Sequence, residues 1–453
     1  MGTITLKQAA QWCGGYVEPQ YEQIAFRGAN IDTRKLEAGQ IFIALQGIRD
    51  GHDFIPAAME GGAAAVLCSR KVGDYPAIIV EDPRKALGDI AREERRRIGM
   101  KVVGVTGSVG KSTTKEMIAA VLSGTYRVSK TPANHNNDLG MPMAILDMPE
   151  DTQVAVLEMG MNHLREIAYL ASIARPDVAV ITNIGTMHIE HLGSQQGILQ
   201  AKLEILEGMS HGGKVLLNGD DVLLWNVRRQ QHMEATYFGI QNPEIEYRAL
   251  EVEEKSEKLR FQAQYPGGTI PVELSLEGIH YVIDAMAAVG VGMELGVTPE
   301  DISSRLADFR NMEGRQEIFQ AKGCTIIKDC YNAGPESMAA ALAVLSNKPG
   351  RKVAILGDML ELGVCAPAEH YRLGRLVAEK ADVLLAFGPF SDRTVSGAIT
   401  GGMPQNLARC FEKRDQLVSA MQRMIKPGDV LLVKGSRGMK MELALDRFLK
   451  DKT

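Results

Sequence analysis

The segment 102–114 reads Val-Val-Gly-Val-Thr-Gly-Ser-Val-Gly-Lys-Ser-Thr-Thr. Its first five residues form an apolar run typical of a buried parallel strand, and a segment of helical length, Lys115–Leu122, follows the glycines. Glycines let the backbone N–H groups of such a turn point at phosphate oxygens, and the N-terminus of the next helix adds partial positive charge. The segment therefore predicts an α/β fold in which a strand leads into a phosphate-binding loop.

The lysine and the hydroxyl at the end of this loop indicate a nucleoside triphosphate. Lys111 can reach the β- and γ-phosphates of ATP, and the Ser112 hydroxyl can hold Mg²⁺. Val105 stands where the usual GxxxxGK[ST] pattern has its first glycine, so a generic glycine-rich turn is the alternative. Gly-Lys-Ser-Thr between a strand and a helix disfavours that alternative. We predict ATP contacts from Thr106, Gly107, Ser108, Val109, Gly110, Lys111, Ser112 and Thr113.

The composition excludes several other classes of protein. The 453 residues are 45% hydrophobic and 24% charged, which is typical of a soluble chain with several cores. The net charge of −5 indicates no general nucleic-acid surface. The six cysteines are scattered without a CxxC pair, which disfavours a disulfide framework and suits a reducing compartment. Without a leader-like N-terminus or an apolar run of membrane-spanning length, we expect a cytoplasmic protein.

Strand-like and helix-like segments alternate along almost the whole chain, as in α/β proteins. Helices are expected at Pro83–Ile98 and Tyr281–Met293, and the alternation between Ile245 and Leu276 predicts antiparallel strands with one wet face. Apolar runs predict strands at residues 41–45, 64–67, 77–80, 102–106, 153–157, 178–182, 214–217, 325–328, 353–356, 383–387 and 430–434.

These patterns predict three domains. Gly99 separates a charged helix from the strand that begins the phosphate loop, and a second series of alternating strands and helices begins after Arg315. We expect a small α/β domain at residues 1–99 and a central domain at 100–312, which combines a mostly parallel sheet with a small antiparallel one. A C-terminal Rossmann-like α/β domain is expected at residues 313–453.

Polar groups follow two of the predicted central strands at their carboxyl ends, where α/β proteins bind ligands. Glu158 follows the first of these strands and suits Mg²⁺ as a hard anionic ligand. His188, Glu190 and His191 follow the second strand, and zinc is the alternative metal for them. Lys202 lies on the next helical segment, where its residue type alone predicts a solvated lysine.

The loop Thr106–Thr114 and the residues Glu158, His188 and Lys202, in this order, resemble the Mur ligases, which build the peptide stem of bacterial peptidoglycan with ATP. The segment Lys328–Met338 is similar to the Asp-x-Tyr-Asn-Ala-Asn-Pro-x-Ser-Met signature of the members that add D-alanyl-D-alanine. Further similar segments are 32–34, 47–54, 134–142, 356–363 and 433–437. The resemblance spans essentially the whole chain.

The resemblance implies an ATP-dependent amide ligase that joins D-alanyl-D-alanine to UDP-N-acetylmuramoyl-tripeptide. An acyl phosphate would form on the tripeptide carboxylate, and the products would be UDP-N-acetylmuramoyl-pentapeptide, ADP and phosphate. The first domain would bind the UDP end of the long substrate, and the third would bind the dipeptide and close the site. The enzyme would act in the cytoplasm as a monomer, without a nucleic-acid or membrane partner.

The resemblance also implies roles for individual residues. Catalysis would involve Lys111, Glu158, His188, Lys202 and Arg315. Two Mg²⁺ ions would be held by Ser112, Glu158, His188 and Lys202, the last as a carbamate formed with CO₂. Nucleotide contacts beyond the loop would come from Tyr281, Asp284, Arg315 and Asp329. The UDP end would bind Thr33, Arg34, Gly47, Asp50 and His52, and the peptide and dipeptide would bind Asn136, Asn137, Tyr331, Asn332 and Arg437.

Two departures from the family pattern bear on these roles. Tyr281 and Asp284 stand where the family has asparagines that face adenine, so Tyr281 is expected to stack on the base and Asp284 to accept from its amino group. Gly334 replaces the second Asn of the Tyr-Asn-Ala-Asn-Pro sequence, which removes any side-chain contact made there. Neither departure affects the residues assigned to phosphate and metal.

Three alternative functions remain open at this point. The first is another Mur-type or folylpolyglutamate-type amino-acid ligase, which the segment Tyr331–Met338 disfavours. The second is a nucleotide-dependent switch or transport ATPase, which would hydrolyse ATP without an amino-acid acceptor. The third is a non-catalytic ATP-binding regulator. For a ligase, we expect the third domain to swing onto the second and exclude water, with Arg315 after the hinge residues Phe309–Gly314.

Overall fold

The computed structural model of the chain describes residues 3–230, 234–255 and 257–450. Their strands form a small two-stranded ribbon and three larger sheets of five, nine and six strands, which follow one another along the chain. The three-domain α/β fold is therefore confirmed. The boundaries predicted at residues 99/100 and 312/313 fall between the sheets, and they stay predictions.

The first sheet is small and has helices packed around it. Strands β4 to β7 are parallel in the order β4-β5-β6-β7, and β2 joins β7 antiparallel, while β1 pairs with β3. The strands are β1 (Ile4–Thr5), β2 (Tyr16–Val17), β3 (Ala25–Phe26), β4 (Ala29–Asn30), β5 (Ile41–Ile43), β6 (Ala65–Cys68) and β7 (Ala77–Ile79). The helices are α1 (Leu6–Cys13), α2 (Ile55–Glu60) and α3 (Pro83–Ile98).

Helix α3 matches its prediction at both ends, for reasons visible in the sequence. The Asp82 carboxylate accepts hydrogen bonds from the backbone N–H groups of Arg84 and Lys85, at 2.9 and 3.2 Å. Pro83 occupies the first helical position, where its missing N–H costs nothing. Gly99 ends the helix with a φ of 73°, a left-handed conformation that favours glycine.

The central sheet has nine strands, in the order β16-β15-β14-β13-β12-β11-β8-β10-β9. They are β8 (Lys101–Thr106), β9 (Val128–Lys130), β10 (Val154–Glu158), β11 (Val178–Ile181), β12 (Lys214–Asn218), β13 (Thr236–Gly239), β14 (Tyr247–Lys255), β15 (Lys258–Tyr265) and β16 (Gly268–Leu274). The predicted antiparallel strands β14 to β16 continue this sheet, because β14 pairs in parallel with β13.

In the described part of the chain, eight α-helices accompany the central sheet. They are α4 (Lys111–Leu122), α5 (Gly140–Leu146), α6 (Glu166–Ala174), α7 (Ile189–Leu192), α8 (Gln195–Leu203), α9 (Val222–Gln230), α10 (His280–Glu294) and α11 (Pro299–Ala307). Helix α4 begins four residues before its predicted start, because Gly110, with a φ of 82°, turns the chain directly into it. None of the helices in the described part of the chain is long and apolar enough to cross a membrane.

The third sheet has the order β17-β18-β22-β19-β20-β21, all parallel except the edge strand β17. Its strands are β17 (Glu317–Ala321), β18 (Cys324–Asp329), β19 (Lys352–Gly357), β20 (Val383–Phe387), β21 (Ala408–Phe411) and β22 (Val430–Lys434). Its helices are α12 (Pro335–Asn347), α13 (Ala366–Lys380), α14 (Ser391–Thr400), α15 (Arg414–Met424) and α16 (Glu442–Lys450).

Strand order in the central sheet positions the site. β8 lies between β11 and β10, so the phosphate loop after β8 is flanked by the segments that follow its two neighbours. The registers place Glu158 beside Val105 and Ile181 beside Thr106. Parallel strands end at the same edge of a sheet, and these three supply the loop, Glu158 and the segment that leads to His188.

Helices α13 and α14 approach so closely that glycine is required where they meet. A Cβ atom on Gly374 would lie 1.9 Å from the Thr394 carbonyl oxygen, and one on Gly397 would lie 2.0 Å from the Tyr371 carbonyl oxygen. Backbone atoms cannot yield as flexible side chains do. We therefore expect Gly374→Ala to lower the free energy of unfolding by about 1–3 kcal/mol through overpacking, as measured by urea denaturation.

Glu379→Ala is the control, because Glu379 is exposed on the same helix α13. It should change the free energy of unfolding by no more than about 0.5 kcal/mol. Equal unfolding free energies for the two variants would contradict the close approach of the helices.

Candidate active site

The phosphate loop is closed on itself in this structure. Lys111 donates from Nζ to the carbonyl oxygens of Gly107 and Ser108, at 2.8 and 3.1 Å. Burial lowers the pKa of Lys111, and the nearby Glu158 carboxylate opposes that shift. The lysine is therefore anchored over the loop that the sequence assigned to phosphate.

Ser112, Glu158 and Arg315 meet beside the loop. Ser112 donates from its hydroxyl to Glu158 Oε2 at 2.8 Å, and Arg315 donates from Nη2 to the same hydroxyl oxygen at 3.0 Å. Asn136 donates from Nδ2 to the other Glu158 oxygen at 2.9 Å. Glu158 is only 2% exposed. The structure thus brings together one hydroxyl, one buried carboxylate and one guanidinium from distant parts of the chain.

His188 lies at the joint with the third sheet. It has a left-handed φ of 65°, and its Nδ1 is 2.7 Å from Glu361 Oε2, off the axis of a good hydrogen bond. The interaction with His188 lowers the pKa of Glu361. His191 points elsewhere and packs its ring 4.7 Å from that of His163. Among the described residues, no three His, Cys, Asp or Glu side chains form a metal-binding cluster, which gives the zinc alternative no support.

Lys202 is buried, so the expectation of a solvated lysine is wrong. Its exposed fraction is 2%, and burial together with the nearby Lys111 ammonium lowers its pKa well below the ordinary value. Residue type could not predict this, because the burial comes from the packing of helix α8 against other parts of the chain. Lys202 thus favours a neutral amine next to the phosphate loop.

Arg315 reaches the site from the segment that leads into the third sheet. Its guanidinium carbon lies 4.2 Å from the centroid of the Tyr331 ring, a cation–π contact that orients the planar group. Asp329, at the end of β18, forms an ion pair with Lys434 at the end of the neighbouring strand β22. The structure therefore brings Arg315 and Tyr331 to the loop, while Asp329 has a cationic partner within the third sheet.

Tyr281 and Asp284 have protein partners that differ from the predicted adenine contacts. The Tyr281 side chain is buried, and its hydroxyl accepts a hydrogen bond from Asn311 at 2.7 Å. Asp284 accepts from the Thr114 hydroxyl at 2.9 Å, and burial raises its pKa to about 7. Neither side chain presents a free face to a base. In this arrangement they support helix α4 and the segment that leads into the third domain, and the contacts of both side chains with adenine stay predictions.

The residues predicted for the UDP end lie together in the first domain. Arg34 is exposed and pairs with Asp32 at 2.7 Å, and Thr33 and Gly47 lie in surface loops. Asp50 accepts from the backbone N–H of His52 and from Arg70, at 3.0 and 2.8 Å.

His52 is only 1% exposed, and both of its ring nitrogens have protein partners. Nδ1 lies 2.6 Å from Asp50 Oδ1, and Nε2 accepts from the Ser69 N–H at 3.1 Å. This arrangement requires the proton on Nδ1. The ring thus holds the surrounding loop in this structure, and the substrate contact of His52 stays a prediction.

The asparagines assigned to the peptide have mixed placements. Asn136 contacts Glu158, as described above, whereas Asn137 caps helix α5 by accepting from the Gly140 N–H at 2.8 Å. Asn332 accepts from the Ala333 N–H at 2.9 Å through its side-chain oxygen. Arg437 is exposed after the carboxyl end of strand β22, with its guanidinium 3.7 Å from the Glu442 carboxylate.

Asn183 was missed by the sequence reasoning and contacts the phosphate loop directly. Its Oδ1 accepts hydrogen bonds from the backbone N–H groups of Ser108 and Val109, both at 3.0 Å. Its position directly after strand β11, next to β8 in the sheet, was the available signal. A polar residue at the carboxyl end of a neighbouring parallel strand lies within reach of the loop.

Three segments of the chain match protein families. Residues 25–95 match the Mur ligase family, catalytic domain. Residues 105–292 match the Mur ligase middle domain, and residues 314–437 match the Mur ligase, glutamate ligase domain. Together the three matches extend over all three sheets.

Individual relatives match almost the whole chain. It is 40% identical to the UDP-N-acetylmuramoyl-tripeptide–D-alanyl-D-alanine ligase of Bacillus subtilis, over 97% of this chain and 96% of the relative. A crystal structure of MurF from Acinetobacter baumannii is 32% identical, with a TM-score of 0.92 over 100% of both chains. The MurF ligase from Thermotoga maritima in complex with ADP is 29% identical, with a TM-score of 0.83 over 94% of this chain and 97% of that one. The chain belongs to the Mur ligase family.

Proposed function

We propose that this chain joins D-alanyl-D-alanine to UDP-N-acetylmuramoyl-tripeptide with ATP, releasing UDP-N-acetylmuramoyl-pentapeptide, ADP and phosphate in peptidoglycan precursor synthesis. The observation that carries the proposal is the meeting of Ser112, Glu158 and Arg315 beside the phosphate loop. Relatives named for this reaction extend over the same three domains, including the Bacillus subtilis ligase. We further propose that the enzyme acts in the cytoplasm as a monomer.

A carboxylate is a poor acyl donor at neutral pH because oxide would have to leave. Phosphorylation by ATP gives an acyl phosphate, from which phosphate departs as the amine of D-alanyl-D-alanine attacks. Lys111 contacts the Gly107 carbonyl oxygen of the loop and Arg315 contacts the Ser112 hydroxyl, where their charges can stabilise negative charge on the transferring group. Closure of the third domain excludes water, which would otherwise hydrolyse the acyl phosphate.

Ser112 and Glu158 suit a magnesium ion. They provide a hydroxyl and a buried carboxylate whose oxygens are 2.8 Å apart, and Mg²⁺ prefers such hard oxygen donors. When bound there, Mg²⁺ would reduce the charge on the phosphate groups. Asn136 donates to the carboxylate and keeps it oriented, and the Thr131 hydroxyl accepts from the Glu158 N–H at 3.0 Å and fixes the backbone of the same residue.

Lys202 suits the carbamate that the family resemblance implies. Only a neutral amine attacks CO₂, and burial together with Lys111 lowers the pKa of Lys202 toward that form. The amine would form a bond to the CO₂ carbon and release one proton, which leaves an anionic carbamate. That anion, with His188, would hold a second magnesium ion.

The substrate contacts stay proposals of the same kind. The UDP end of the long substrate would be bound by Thr33, Arg34, Gly47, Asp50 and His52. Asn136, Tyr331, Asn332 and Arg437 would line the region where the peptide and the dipeptide meet, together with Asn137.

Phosphate release tests this function directly. With ATP and Mg²⁺ present, release should require UDP-N-acetylmuramoyl-tripeptide and D-alanyl-D-alanine together, and mass spectrometry should detect the pentapeptide product. Both substrates are required because the acyl phosphate needs the first and its capture needs the second. Rapid release with neither substrate would contradict a ligase and favour the switch ATPase.

Arg315→Ala should lower kcat about a hundredfold or more, because one positive charge facing the transferring phosphoryl group is lost. Steady-state phosphate release measures this. Arg310→Ala is the control, since Arg310 is exposed on the same connecting segment. Unchanged turnover with reduced thermal stability in Arg315→Ala would mean that this residue only stabilises the domain arrangement.

Carbon-13 NMR of the protein in labelled bicarbonate should detect one carbamate resonance, which Lys202→Met abolishes. Lys115→Met is the matched control. Lys115 is also fully buried, but it donates to the Thr131 carbonyl oxygen at 2.6 Å and lies 3.3 Å from Glu116. A signal that survives Lys202→Met and disappears in Lys115→Met would place the modification on the wrong lysine.

A further inference from the structure

The segment Thr182–Thr186 holds the phosphate loop by several hydrogen bonds. The Thr182 hydroxyl donates to the Val109 carbonyl oxygen at 2.6 Å. Asn183 accepts from two N–H groups of the loop, as described above, and Gly185 donates from its N–H to the Ser108 hydroxyl oxygen at 2.8 Å. The shape of the loop thus depends on the position of this segment.

Helix α12 of the third domain contacts the same segment through Glu336. Its Oε1 atom accepts from both the N–H and the hydroxyl of Thr186, at 2.9 and 3.1 Å. Its other oxygen, Oε2, is buried without a hydrogen-bond partner among the described residues. Thr186 is therefore the group that holds this carboxylate, and the contact joins the third domain to the central one.

Glycines on both sides permit the contact. A Cβ atom on Gly185 would lie 2.8 Å from the Glu336 carboxyl carbon and from Oε1. A Cβ atom on Gly334 would lie 2.7 Å from Cγ of Met187. A side chain at either position would require Glu336 or Met187 to move from its present place. The close approach of Met187 thus gives a steric explanation for glycine at position 334, where the family signature has asparagine.

We propose that Glu336 is a positioning residue that couples docking of the third domain to the geometry of the phosphate loop, through Thr186, Gly185 and Ser108. This inference deepens the proposed function and rests on it. Glu336 touches neither nucleotide nor metal in this scheme. It acts on the loop through the segment Thr182–Thr186, which it holds only when the third domain is docked.

The test measures how tightly the full-length protein binds a non-hydrolysable imido analogue of ATP with Mg²⁺, by calorimetry. Glu336→Ala should weaken binding about tenfold, because the loop loses the support that docking provides. Glu336→Gln keeps an oxygen that can accept from Thr186, so it should retain most of the affinity. Thr186→Val loses only the hydroxyl contact with Glu336, so it should weaken binding less. In the double variant, Thr186→Val should weaken binding no further than Glu336→Ala alone.

Glu300→Ala is the matched control. Glu300 follows Pro299 at the start of α11 as Glu336 follows Pro335 at the start of α12, but Glu300 is exposed. Both variants remove an acidic residue from a first helical turn, and only one removes a contact between domains. Glu300→Ala should bind the analogue like the unchanged protein.

Kinetics separate positioning from a general loss of structure. Glu336→Ala should raise the KM for ATP and leave the KM for the UDP substrate, which binds the first domain, within twofold. Equal analogue affinity in Glu336→Ala and Glu300→Ala would overturn the proposal, as would additive effects of Glu336→Ala and Thr186→Val.

Two further outcomes are also decisive. If Glu336→Ala does not fold, Thr186→Val decides alone: weaker analogue binding supports the coupling and unchanged binding overturns it. A protein that binds the analogue and responds to these variants, yet forms no pentapeptide, would contradict the proposed function and leave the coupling in place.

Discussion

The adjacency of three parallel strands, β11, β8 and β10, is the constraint on which the site depends. Because parallel strands end at one edge of a sheet, the strand order alone places the phosphate loop, Glu158 and the segment after β11 next to one another. The third domain contacts the same edge, where Arg315 donates to the Ser112 hydroxyl. The sheet topology thus brings the segments of the site together, and the side-chain hydrogen bonds then fix their geometry.

Burial gives the two lysines of the site different properties from the lysines at the surface. Lys111 and Lys202 are both desolvated, which lowers the pKa of each, and the charge of Lys111 lowers the pKa of Lys202 further. The result separates their roles. Lys111 has two carbonyl oxygens and the nearby Glu158 to support its charge, whereas Lys202 has a strongly lowered pKa and favours the neutral amine. Burial, reinforced by the charge of Lys111, thus biases only one of the two lysines toward the neutral amine.

Most of the fold could be predicted from the sequence because the strands are nearly continuous apolar runs, and each predicted strand is present with its ends shifted by at most two residues. The order of the loop, Glu158 and Arg315 could also be anticipated from motifs. Three features could not be predicted, because each depends on which elements pack together. They are the burial of Lys202, the protein hydrogen bonds of both His52 ring nitrogens, and the Asp284–Thr114 hydrogen bond. Asn183 and Glu336 were missed for the same reason, since their roles exist only across neighbouring strands or domains.

The paired glycines at the domain joint have an evolutionary consequence. Gly185 and Gly334 belong to different domains, yet each makes room for a residue of the other, Glu336 and Met187 respectively. A larger residue at either glycine would displace the facing side chain of the other domain from its present rotamer. These four positions therefore affect one another across the domain boundary, and a third domain taken from a relative with a larger residue at 334 would dock on this central domain only after Met187 moves.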